Sequence, residues 1–142
     1  MARKRFSKSL FKQNDEVAKK AATKYYENIG YEVRLNDNKY GPDLLLFKEN
    51  NFASYVECEV KRVWKDYEFP FPNIQFPERK SKYITDKPIL FFMLNGKENR
   101  ALIVKGTDLI ISPLKEVSNK YVRHGESFFQ VPLIKAVFVD LK

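Results

Sequence analysis

The chain has 142 residues, 44% of them hydrophobic and 31% charged, with a formal net charge of +8. That length and balance fit one soluble domain able to bury a core of its own, and they exclude a low-hydrophobicity disordered chain. The longest apolar run, Pro88 to Leu94, is too short to cross a membrane, and one cysteine (Cys58) with one histidine (His124) excludes an internal disulfide and a Cys/His zinc site.

The N-terminal stretch holds Arg3, Lys4, Arg5, Lys8 and Lys12 without an acid among residues 1–12. No apolar segment follows, so it does not read as a secretory signal, and a cytoplasmic location is expected. We read residues 1–12 as a basic arm and 13–142 as a single domain. A basic chain with a basic arm favours a polyanionic partner, because neutralising phosphates releases counterions.

Asn14 is placed to cap a helix running to about Asn28, with Asp15 and Glu16 in its first turn. Val17, Ala21, Tyr25 and Ile29, with Ala18 and Ala22, predict its apolar face, and Gly30 its stop. Tyr31–Leu35, Asp43–Phe47 and Ser54–Trp64 read as strands, separated by turn clusters at 36–42 and 48–51. Residues 66–77, with Pro70, Pro72 and Pro77, predict an extended loop, followed by a short helix from Pro77 to Tyr83. Ile89–Leu94 and Ala101–Val104 predict a hairpin around Asn95-Gly96. Leu109–Pro113 is ambiguous, Leu114–Val122 is expected to be helical, His124 to lie in a loop, and Ala136–Val139 to form the last strand. The fold class that results is α/β, a mixed central β-sheet flanked by helices.

The chemistry concentrates in Tyr55-Val-Glu-Cys-Glu-Val-Lys61. Strand alternation turns Val56, Cys58 and Val60 toward the core and Glu57, Glu59 and Lys61 to the other face. A hairpin brings Asp43 near Glu59. Two adjacent carboxylates repel unless a cation lies between them, and hard oxygen donors, with the Val60 carbonyl as a further one, favour Mg2+, with Mn2+ as its substitute. Cys58 reads as a small core residue, and Glu57 as a peripheral ligand or, preferably, a solvated residue.

Pro42-Asp43 opening one strand and Glu59-Val60-Lys61 within the next resemble the signature of the PD-(D/E)xK nuclease superfamily, including the small Holliday-junction resolvases. The resemblance covers roughly residues 14–94 and implies a restriction-endonuclease-like core. It implies a Mg2+-dependent, structure-selective endonuclease that hydrolyses phosphodiester bonds of DNA. Asp43 and Glu59 would be catalytic and metal-binding, Val60 would lend its carbonyl, and Lys61 would orient the attacking water. Glu16 is the candidate for a further metal-binding acid on the first helix, its alternative being an acid that serves the helix dipole. Gln75, Arg79, Lys80 and Lys82 are candidates for nucleic-acid contacts, with Arg3 and Arg5 of the arm. Trp64, Phe69, Phe71 and Phe76 either stack on bases or, preferably, pack on the core. Cutting both strands of a duplex would call for a homodimer, with the C-terminal third as interface or as completion of the core. The competing readings are a non-catalytic nucleic-acid-binding module on the same scaffold and a protein-interaction domain.

Overall fold

The computed structural model describes the backbone of residues 8–119 and 122–141 and the side chains of 16–117 and 125–141. Apolar residues alternating with polar ones lay down a mixed six-stranded sheet. It contains β1 (Glu32–Leu35), β2 (Leu44–Lys48), β3 (Asn51–Lys61), β5 (Ile89–Asn95), β6 (Arg100–Lys105) and β9 (Val137–Asp140), in the order β1-β2-β3-β5-β6-β9. Only β3 and β5 pair in parallel, Glu59 lying opposite Met93; the other neighbours are antiparallel. A second, antiparallel sheet has the order β4-β8-β7, from β4 (Asn73–Pro77), β7 (Leu114–Asn119) and β8 (Val122–Pro132). The fold is therefore mixed α/β.

One face of the large sheet is covered by α1 (Lys8–Asn28). Ala18 and Ala22 are fully buried, and with Tyr26 they pack against Val56, Cys58, Phe92 and Leu94. Two alanines one turn apart let the helix axis approach the sheet closely. The buried stripe is turned by one residue from the expected one: Tyr26 is in the core, and Ile29 is half exposed. The helix also begins at Lys8, so Asn14 lies inside it and is not its cap. The predicted stop holds. Gly30 adopts φ +104°, and the amides of Gly30 and Tyr31 donate to the carbonyls of Glu27 and Tyr26, a left-handed closure that a side chain would strain.

The opposite face corrects the expectation of a sheet flanked by helices. It is covered mainly by the three-stranded sheet. Trp64, Ile74, Phe76, Phe129 and Val131 pack there against Phe91, Met93, Leu102 and Val104. Residues 66–77, expected as loop throughout, end in β4, whose Ile74 and Phe76 are fully buried. Where a helix was expected over 114–122, Leu114–Asn119 is strand: β7 pairs with β8, so the cross-strand partner overrides a weak helical pattern. His124 falls within β8 and not in a loop, though its side chain lies outside the described residues. Gly125 beside it, with φ +81°, sits where the β7–β8 register shifts. The ambiguous segment is led by a short helix, α2 (Gly106–Ile110). The C-terminal third thus completes the core through Phe129 and Val131 and the large sheet through β9.

Two turns place the site. Glu49 and Asn50 both take positive φ in the two-residue connection between Lys48 and Asn51, which fixes the β2–β3 register. The buried Asn95 side chain accepts from the amides of Asn99 and Arg100 and donates to the Asp66 carbonyl, tying the β5–β6 turn to the segment after β3. No helix among the described residues is long and apolar enough to cross a membrane.

Candidate active site

The β2–β3 ladder ends at the pair Leu44/Val56. Continued, the register would set Pro42 opposite Cys58, and proline has no amide to offer the ladder. The Asp43 carboxylate takes over, its Oδ2 accepting the Cys58 amide at 2.8 Å. Pro42-Asp43 thus ends one strand and fastens an acid to the middle of the next. The preceding loop holds that geometry. Asn36 donates from Nδ2 to the Pro42 carbonyl at 2.8 Å and accepts the Asn38 amide, while its own amide donates to the Asp43 carbonyl. A Cβ on Gly41 would lie 2.7 Å from Asn36 Nδ2, so the Asn36 amide and its bond to the Pro42 carbonyl would have to shift.

Asp43, Glu59 and Val60 line one open cleft of about 620 Å3. Its rim carries Lys19, Lys39, Arg79 and Lys80. Glu59 is half-buried. Loss of hydration raises its carboxyl above the ordinary glutamate range; Lys80, Lys61 and Arg79 pull it back, and the Asp43 carboxylate pushes it up further. The predicted acids are therefore neighbours that feel one another. The donor set of two carboxylates and a strand carbonyl suits a hard divalent cation, which would relieve both the repulsion and the desolvation. Among the described residues, no group of three or more His, Cys, Asp or Glu side chains gathers as a metal site, so any ion here would rely on these two acids, the backbone and water.

Glu57 departs from the expectation of a solvated residue. It is 7% exposed, and its Oε2 meets Lys80 Nζ at 2.6 Å. A glutamate facing the seam between two sheets has lost most of its water, and an ammonium must replace it. Burial opposes the charge on Lys80, but Glu57 beside it, their hydrogen bond and Glu59 outweigh that and hold the ammonium above its ordinary value. Lys80 comes from a 3-10 turn, Glu78–Tyr83, that follows Pro77 where a short helix was expected.

The remaining candidates spread outward. Lys61 lies beside Glu59 but lines the adjacent cavity with Phe71, Asn73, Gln75 and Gln130, its Nζ 5.6 Å from the Phe71 ring centre. Gln75 faces Gln130 across a β4–β8 rung. Arg79 reaches the rim and is ion-paired with Glu126 of β8. Lys82 is exposed over Tyr83 and is not part of the cleft wall. Glu16 is exposed and also stands outside the wall; Lys19, missed from the sequence, lies between it and Asp43, 3.9 and 3.8 Å from the two acids. Its spacing of three residues from Glu16 was the available signal. Arg3 and Arg5 lie outside the described residues. Cys58 is buried, as are Trp64 and Phe76, while Phe71 is partly exposed.

No protein-family model, curated protein or solved structure matches this chain.

Three outcomes follow from this geometry. Gly41→Ala, by displacing Asn36, should cost about 1–3 kcal/mol in chemical unfolding. Lys80→Met strands the Glu57 charge and should cost about 3 kcal/mol, whereas Glu57→Gln/Lys80→Met should recover most of that loss. Because the folded protein raises the Glu59 carboxyl, it binds the proton more tightly than the unfolded chain. Metal-free stability should therefore fall as pH rises above the ordinary glutamate range, and Glu59→Gln should flatten that dependence in a melting-temperature series.

Proposed function

We propose that this chain is a divalent-metal-dependent nuclease that hydrolyses phosphodiester bonds of DNA, on a restriction-endonuclease-like core. The observation that carries the reading is the meeting of Asp43 and Glu59 on one cleft, with lysine and arginine side chains on its rim. The chain order of α1, an antiparallel β1–β2–β3 meander and a crossover to parallel β5 supports the fold reading. The crossover carries β4 and a 3-10 turn where the resemblance implies a helix.

Asp43 Oδ1, Glu59 and the Val60 carbonyl would hold Mg2+ or Mn2+. A divalent ion supplies polarisation of the phosphate and a lowered pKa for bound water. The chain's own residues do the rest. Cys58, through its amide, keeps one Asp43 oxygen turned inward and so orients the other. Lys19, Lys39 and Arg79 offer a phosphate backbone positive charge at the rim, and Lys61 lies beside Glu59 on the neighbouring side. Such fixed charges favour the transition state because the developing negative charge meets groups already in place. A second copy is needed only if both strands of a duplex are cut.

Branched, duplex and single-stranded DNA, with RNA counterparts, incubated with Mg2+, Mn2+ or chelator test the reading. Cleavage is expected with either ion and not with chelator. Asp43→Asn should reduce it about a thousandfold, a loss of roughly 4 kcal/mol of transition-state stabilisation, while salt-dependent DNA binding survives. The third acid beside the pair, Glu57, is taken up by Lys80, which leaves two acids for an ion and makes the binding module the alternative reading. DNA binding without cleavage by the unmodified protein under any of these conditions would establish that alternative.

A further inference from the structure

Lys61 is the lysine that the sequence motif nominates, yet it lines the adjacent cavity, whereas Lys19, Lys39 and Lys80 line the Asp43/Glu59 cleft and Lys80 is the one held by a buried carboxylate. We propose that Lys80 is a second catalytic cation of this site and that Glu57 is its positioning residue, an assignment that rests on the nuclease reading above. A lysine has four rotatable bonds and loses much entropy when held in one place. Glu57 holds it: Oε2 lies 2.6 Å from Nζ, and Glu57 itself is 7% exposed, fixed on β3 two residues before Glu59. The other Glu57 oxygen is buried with no hydrogen-bond partner, so this carboxylate serves no visible network beyond Lys80.

An ammonium carries three N–H donors, and the Glu57 bond takes one. Two remain for a non-bridging phosphate oxygen in the cleft. As the water oxygen bonds to phosphorus and the bond to the leaving sugar oxygen breaks, negative charge grows on those oxygens. Lys80 would stabilise it by hydrogen bonding without giving up its proton, and a water proton ends on the leaving oxygen. A purely structural ion pair would explain the burial of Glu57, but it would not require that the cation share a cleft wall with both metal-ligand candidates.

The test compares the unmodified protein, Glu57→Gln, Lys80→Met and Glu57→Gln/Lys80→Met, the double variant guarding against loss of fold from a stranded carboxylate. Three quantities are measured: cleavage kinetics on the best substrate of the panel above, Mn2+ affinity without DNA by titration calorimetry, and melting temperature. Lys80→Met and the double variant should lose about a hundredfold in kcat with KM within about threefold. Glu57→Gln should lose about tenfold alone and add nothing in the Lys80→Met background, since it acts through Lys80. Mn2+ should bind Lys80→Met at least as tightly as the unmodified protein, because a competing cation beside Glu59 is gone. A rise in KM with kcat intact would make Lys80 a phosphate tether and overturn the proposal. So would loss of Mn2+ binding in the stably folded double variant, or fully additive effects of the two substitutions. If the unmodified protein cleaves nothing, the nuclease reading fails and this assignment fails with it; cleavage that Lys80→Met leaves intact overturns this assignment alone.

Discussion

Glu57 and Glu59 project from one face of β3 toward the seam where a three-stranded sheet lies over a six-stranded one. Two acids at such a place lose hydration, and the surrounding structure has to supply positive charge. It does so from elements far apart in the chain. Lys80 arrives on the turn after β4, Arg79 beside it, Lys61 from the end of β3, and Lys19 from α1 on the Asp43 side. The arrangement is asymmetric. Glu57 is matched by a close ammonium at 2.6 Å, whereas Glu59 has only more diffuse support and keeps a raised carboxyl. An acid left under-compensated beside a second carboxylate is an unfavourable feature for stability alone.

Asp43 shows how backbone chemistry and site chemistry coincide. A proline at position 42 ends the β2–β3 ladder, leaving the Cys58 amide to be satisfied by a side chain. The aspartate that satisfies it is thereby held on β3 beside Glu59. The same sulfur-bearing residue turns its side chain into the α1 core, so one residue links the buried apolar layer to the polar cleft. The Asn36 loop adds a brace from the side of β1, and Gly41 leaves the room that brace needs.

The two sheets divide the labour. The large sheet carries the acids and gains its rigidity from α1 on one face and from the aromatic cluster of Trp64, Phe76 and Phe91 on the other. The small sheet carries the polar groups that face Lys61, Gln75 opposite Gln130, and through β4 it delivers the turn with Arg79 and Lys80. The segment rich in proline and phenylalanine is accordingly structural in large part, with Trp64 and Phe76 fully buried and only Phe71 open beside Lys61.

Local pattern sufficed for what depends on neighbours in the chain. The alternation from Tyr55 to Lys61 separated core from acid face, Lys48–Asn51 announced a hairpin, Gly30 announced a helix end, and Pro42-Asp43 with Glu59 announced two acids on one cleft. Contacts between distant segments decided the rest. Leu114–Asn119 is a strand because β8 lies beside it, and the helix starts at Lys8 although a good capping residue stands at position 14. Nothing near Glu57 in the chain shows that it is buried, because the lysine that balances it sits 23 residues on and meets it only when the small sheet closes over β3. Charge pairing across layers has no period in the sequence, so Lys80 facing the cleft and Glu57 holding it are properties of the assembled sheets.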